Sequence, residues 1–435
     1  MKYFMPDSQD LVDPSFDFDT ERRSVSRLRQ RDDQYAHELF RERMLDGILV
    51  SKGIVDGFGA SGGRYTIAQR QRLLRVGARE FFRTEGTAWS PIPFMGDCGA
   101  FTYVRESSPP YSIEEVSSFY VDCGFDLGIS VDHVILEYNA TWDDAPRDVP
   151  VAIQTRQAIT LDLARQFLAF HRKQRLPFEL IGVAQGWSPK SYAHAVRELQ
   201  TMGFRHIALG GMVPLKTPEI VASLRGVAAV RRKDTKLHLL GVTRIDSFRE
   251  FASLGVTSFD STSPLRQAFK DATDNFYAMD SEYTAIRIPQ VEGNPSLQKL
   301  ISSGRVPQEE ARKLERFALQ AMKRFDAGEL NVRAVLGALQ AYEDLYSPGD
   351  SHGEEYRRTL EDRPWKTCAC DICRTVGHHV ILFRGAERNR RRGLHNTWTF
   401  YRRVQREASA APIPIAGSRR GARPRRLLKA ASGEV

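Results

Sequence analysis

The sequence has no uninterrupted apolar run of membrane-spanning length and no signal-peptide pattern at Met1, so neither a bilayer span nor a secreted precursor is expected. Nothing in it resembles a phosphate-binding P-loop, which leaves nucleotide hydrolysis to other proteins. Cysteine is scarce: five in 435 residues, an odd count that argues against a disulfide framework. Acidic residues run short at one end. Residues 366–435 hold 16 Lys+Arg against 4 Asp+Glu, or +12, so with +9 overall the first 365 residues carry 9 − 12 = −3. A near-neutral body with a strongly basic end suggests a polyanionic partner, nucleic acid first, and no membrane partner. The mean hydropathy of −0.41 fits a soluble, cytoplasmic chain.

What is present is a repeated alternation. Short apolar runs at 3–5, 46–50, 92–95, 125–131, 178–184, 207–209, 237–240 and 256–259 read as eight strands. Helix-compatible sequence separates nearly all of them. The charged stretch 20–44 reads as helix, and Ser112-Ile113-Glu114-Glu115 is a capping box opening another that runs to about Val121. Further helices are expected over 158–171, over 191–202 with Gly203 as C-cap, from the N-cap Thr217 and Pro218, and over 247–253. Polar and Gly-rich clusters recur after successive strands, where barrel enzymes carry their sites, so a (β/α)8 TIM barrel is expected over an open doubly wound sheet.

Beyond Pro264 the pattern becomes helical, with amphipathic stretches at 307–325 and 332–346 and a Gly/Pro/Asp linker at 347–353. The expected organisation is a barrel over 1–290, a helical zinc-binding subdomain over 291–407 and a basic disordered tail over 408–435. The zinc expectation rests on Cys368, Cys370 and Cys373, three of the five cysteines within six positions. With His395 they make a closed tetrahedral set suited to structural Zn2+, with no open position for a catalytic water. His378 and His379 compete for the fourth place, but His395 closes a larger and less strained loop.

Six segments then match one family in order. Asp97-Cys98-Gly99-Ala100-Phe101 stands where that family has D-S-G-G-F, and Asp132 matches its aspartate after the fourth strand. Ala184-Gln185-Gly186 answers to V-Q-G, and Gly210-Gly211-Met212-Val213-Pro214 to G-G-L-A-V. Phe259-Asp260 with Pro264 and Arg266 follows F-D-x-x-x-P-x-R, and the cysteine cluster precedes an L-H-N that contains His395. The chain resembles the tRNA-guanine transglycosylases over roughly 1–405, most closely their DNA-acting branch, the DpdA-like proteins. After Gly211 the tRNA enzymes carry a glutamate following V-G, and after Arg266 a Gly/Arg-rich stretch. Here the sequence runs Val213-Pro214-Leu215-Lys216 in the first place and QAFKDATDNFYAMD in the second, away from the tRNA pattern.

The resemblance implies exchange of guanine in double-stranded DNA for 7-cyano-7-deazaguanine. Asp260 would attack C1′ to form a covalent sugar–enzyme intermediate, and Asp97 would protonate the leaving base and later deprotonate the incoming one. Asp132 would accept from guanine N1–H and its exocyclic amine, with Gln185 and the backbone N–H of Gly211 or Met212 near O6. Phe101, with Tyr103 as a second candidate, would stack, and Arg266 completes the expected substrate contacts. Reaching a base inside a duplex requires flipping it, and the resemblance implies a partner, with an ATPase as the candidate, that helps open or present the DNA. The basic block at Arg388, Arg390, Arg391 and Arg392, with Arg402 and Arg403, would suit phosphate contacts. A tRNA-acting transglycosylase and a non-catalytic zinc-bearing nucleic-acid-binding barrel are the competing readings.

Overall fold

Eight parallel strands close into a barrel in chain order: β1 (Lys2–Pro6), β2 (Gly47–Ser51), β3 (Phe94–Asp97), β4 (Leu127–Ile129), β5 (Glu179–Ala184), β6 (His206–Leu209), β7 (Lys236–Leu239) and β8 (Val256–Asp260). The structure is a computed structural model that describes residues 1–57, 64–86, 90–349 and 352–409. The expected tail therefore lies almost wholly outside the described residues.

Closure is made by β1 against β8, where Phe4 is the register partner of Asp260. The barrel interior is filled by Phe4, Leu49, Met95, Ile129, Ile181, Val183 and Ala208, apolar residues from six different strands. A much larger apolar layer lies between the strands and the surrounding helices. Several local signals act as expected. Ser112 Oγ accepts from Glu115 N at 3.2 Å and Glu115 Oε2 accepts from Ser112 N at 2.8 Å, opening the helix Ile113–Asp122. Gly203 caps the helix Pro189–Met202 in the left-handed region at φ 112°. At Thr217 the boundary moves by one residue: Lys216 is the N-cap and Thr217 is the first helical residue.

The long helix expected over 20–44 is not formed; only Ala36–Leu39 is helical there. Side-chain carboxylates capture the backbone N–H groups a helix would need. Asp17 Oδ1 accepts from the N–H of Asp19 and Thr20, Asp32 Oδ2 from Leu28, and Asp33 Oδ2 from Gln30. Such local bonds compete with helix, and Glu21 and Gln30 sit at positive φ. The result is an ordered loop from the end of β1 that packs on the last helix, Gly385–Ser409, where Arg391 donates to Asp13 O at 2.6 Å. That helix also lies against Ser263–Lys270, the helix after β8. Gly393 makes this approach possible, because a Cβ there would stand 2.8 Å from Leu265 O. Among the described residues no helix is long and apolar enough to cross a membrane.

Candidate active site

Four of the sequence-predicted residues meet at the carboxyl ends of the strands. Asp260 ends β8 and is 8% exposed. Its Oδ1 accepts from Gly241 N at 3.1 Å and lies 3.2 Å from His238 Nε2, while its other oxygen has no hydrogen-bond partner among the described residues. His238, on β7, is fully buried, and its Nδ1 is 2.9 Å from Ser258 Oγ. With Nε2–H donating to the carboxylate, Nδ1 accepts from the Ser258 hydroxyl, so one oxygen of Asp260 is fixed by two donors and the second is not.

Asp97 ends β3, beside Ser51 on β2. Its Oδ2 accepts from Gly99 N at 3.0 Å. Burial, then the charges of Asp132 and Asp260, push its carboxyl from 3.8 up to about 7, against the pull of hydrogen bonds from Ser51 and Gly99. A carboxyl in that range can both give and take a proton near neutrality.

Asp132 follows β4 and is buried, with Cys98 Sγ donating to Oδ1 at 3.2 Å and Gln185 Nε2 donating to Oδ2 at 2.6 Å. Burial raises it to about 6, and these two donors restrain the rise. Gln185 Oε1 accepts in turn from Ile135 N at 3.1 Å, so Gln185 is the brace that orients Asp132. Gly211, at φ 73°, lets the turn after β6 lie against this brace, since a Cβ there would overlap Ile135 O. Met212 is buried beneath the turn. Phe101 stands at the rim, 49% exposed. Tyr103 instead lies behind the site, its hydroxyl donating to Asp132 O at 3.0 Å. Arg266 lies on the helix Ser263–Lys270 that follows Asp260, with a buried Nε that has no hydrogen-bond partner among the described residues.

The cysteine cluster lies in the C-terminal part. The ligand atoms of Cys368, Cys370, Cys373 and His395 all fall within 4.8 Å of one another. His395 Nδ1 stands 3.6, 3.4 and 3.4 Å from the three sulfurs. A tetrahedral ion with Zn–S of about 2.3 Å and Zn–N of about 2.05 Å requires roughly 3.6 Å along such an edge, so the donor set fits a metal ion. His395 Nε2 donates to Tyr277 O at 2.8 Å, which turns Nδ1 towards the sulfurs. His378 and His379 take no part; His378 Nδ1 faces Asp326 Oδ2 at 3.5 Å.

No protein-family model matches the chain. A DNA-guanine transglycosylase from Salmonella montevideo is 48% identical over 410 residues, which cover 93% of this chain and 97% of that protein. The chain belongs to the DNA-guanine transglycosylase family. It is accordingly a pentosyl-transferring enzyme.

One expectation for this transglycosylase is corrected by the structure. Arg388, Arg391 and Arg392 are buried, not displayed to phosphate. Arg388 pairs with Glu21, Arg391 with Glu387 at 2.8 Å, and Arg392 donates to Leu382 O at 2.8 Å and Ala268 O at 2.7 Å. Arg403 is occupied by Ala278 O, Ser281 O and Glu282. Arg402 reaches Glu42 at 3.5 Å. These cations bind the last helix to the barrel, a role that a charge count cannot separate from nucleic-acid contact. His238, Ser258 and Gly241 do not stand out in the sequence. Their signal there is faint: a polar residue at alternate positions on two neighbouring strands, facing the same interior as Asp260.

Proposed function

We propose that the enzyme exchanges guanine in double-stranded DNA for 7-cyano-7-deazaguanine through a covalent Asp260–sugar intermediate. The observation that carries this is the asymmetric Asp260 carboxylate, one oxygen held by Gly241 and His238 and the other open, at a mouth shared with a carboxyl poised near neutrality. The open oxygen bonds to C1′ as the C1′–N9 bond breaks and its electron pair passes to the purine, which takes the Asp97 proton. In the second half the incoming base loses its N9 proton to Asp97, attacks C1′ and expels Asp260. A deoxyribose lacks the electron-withdrawing 2′-OH, so cationic character at C1′ develops more easily than in RNA.

Asp132, oriented by Gln185 and Cys98, accepts from guanine N1–H and the exocyclic amine. The turn at Gly211 and Met212 offers backbone donors near O6, Phe101 stacks at the rim, and Arg266 contacts the nucleotide. A mispaired buried polar group costs about 1–3 kcal/mol, enough to exclude adenine. The ion at Cys368, Cys370, Cys373 and His395 is a structural zinc, in a helical subdomain over 291–407 that follows a barrel domain over 1–290. Duplex opening falls to a partner protein, an ATPase as the family resemblance implies, in the cytoplasm.

The test is nucleoside analysis of DNA and tRNA from cells with and without the gene. The 7-deazaguanine nucleoside is expected in DNA only; modified tRNA with unmodified DNA would overturn the reading. In vitro, Asp260→Ala is expected to lose the protein–DNA adduct on denaturing gels and to cut exchange at least about 1,000-fold, the range associated with removing a catalytic nucleophile.

A further inference from the structure

The ordered loop after β1 and the start of the last helix enclose a cavity of about 340 Å³ lined by Arg23, Arg27, Arg29, Arg64 and Arg390, against only Asp10 and Asp33. Part of this charge is neutralised from behind. Arg27 pairs with Asp33 at 2.5 Å and Asp13 at 3.0 Å, Arg23 with Glu387 at 3.2 Å, and Arg390 with the same carboxylate at 3.4 Å. The remainder is not. Among the described residues Arg64 reaches Asp10 only at 3.9 Å and gives one hydrogen bond, to Ser8 O at 3.3 Å. Arg29 is exposed and has no ion-pair partner among the described residues. Each guanidinium carries five N–H donors, so most of those on Arg29 and Arg64 are free to meet an anion.

The position of the cavity relates it to the chemistry. Its loop leaves β1 beside β8, at the register pair Phe4 and Asp260. Arg266, six residues beyond Asp260, feels the charges of both Arg64 and Asp10, and its buried Nε lacks a hydrogen-bond partner among the described residues. Arg266, on the helix after β8, is thus electrostatically coupled to Arg64 and Asp10, two residues that line the cavity. Of the C-terminal arginines that composition offered for phosphate contact, Arg388, Arg391 and Arg392 are consumed inside the protein, whereas Arg390 lines this cavity.

We infer that the cavity is a binding site for backbone phosphates of the DNA strand next to the exchanged nucleotide, with Arg29 and Arg64 as phosphate ligands and Arg266 between them and the sugar. The inference rests on the DNA reading above. Bidentate guanidinium contacts to phosphate fix the register of the strand without reading its sequence.

The experiment is fluorescence anisotropy of the full-length protein with a short labelled DNA duplex and with tRNA, across a salt series. Compared are wild type, Arg29→Gln with Arg64→Gln, and the control Arg165→Gln, an exposed arginine on the helix Val151–Gln174 paired to Asp162. The double variant is expected to bind DNA about 10-fold or more weakly, with the slope of log K against log salt reduced by about 2, one for each phosphate no longer neutralised. The control is expected to match wild type. Wild type that binds DNA while the double variant keeps its affinity and slope would overturn the phosphate site and leave the DNA reading standing. Wild type that binds tRNA and not DNA would overturn the DNA reading and this inference with it.

Discussion

Asp97 and Asp132 look in sequence like ordinary turn aspartates, yet burial raises both, one with the help of neighbouring carboxylates to about 7 and the other to about 6. In the proposed mechanism base recognition needs Asp132 ionised and departure of guanine needs Asp97 protonated. Guanine release is therefore expected to be fastest between about pH 6 and pH 7, falling below as Asp132 takes a proton and above as Asp97 loses one; a stopped-flow pH series of the first half-reaction checks this. The stability sign is fixed by the same shifts. A carboxyl raised in the folded state costs stability as pH climbs past its unfolded value, so Asp97→Asn is expected to raise Tm by a few degrees at about pH 8 and to leave it nearly unchanged at about pH 3, where folded and unfolded forms are both mostly neutral. His238 acts one step removed from the substrate, by holding Asp260 Oδ1. His238→Ala is expected to slow adduct formation about 10- to 100-fold with DNA affinity unchanged, while His238→Asn, which keeps an N–H donor, recovers part of the rate.

Among the elements, the turn after β6 is the most demanding. Gly211 combines φ 73° with a Cα packed against Ile135 O, so any side chain there displaces the segment that anchors Gln185. Gly211→Ala is expected to raise KM for the free base at least about 10-fold while the fold survives, as judged by an unchanged far-UV spectrum. The turn was legible in the sequence because its Gly-Gly followed a strand. The loop after β1 was not. Its charge pattern suits a helix, but Asp17, Asp32 and Asp33 bind the backbone N–H groups locally, and Arg23 is held by Glu387 from the far end of the chain.

At the scale of the whole molecule, the metal cluster fastens the C-terminal part to the barrel. His395 donates to Tyr277 O, and its neighbour Asn396 accepts from Tyr277 N at 2.9 Å and donates to Asn275 O at 3.0 Å. The segment leaving the helix after β8 is thereby tied to the last helix. If the cluster holds the proposed zinc, the chain is expected to carry one zinc by elemental analysis, and chelation or Cys373→Ser to remove it and to lower Tm by about 10 °C or more in a melting curve. Loss of exchange should follow, because the helix Ser263–Lys270 begins three residues after Asp260.

The strand periodicity, the capping boxes and the Cys-x-Cys-x-x-Cys spacing determined the barrel and the metal set, because those signals arise from local geometry and from ligand chemistry that short segments carry themselves. The tertiary structure alone decided what each charge does. Arg388, Arg391 and Arg392 are indistinguishable in sequence from surface cations, and only packing against Glu21, Glu387 and backbone carbonyls turned them into internal ties. In the same way Asp260 was visible as an acid after an apolar strand, but the donors that leave one of its oxygens free come from β7 and the turn beyond it, brought alongside only by closure of the barrel.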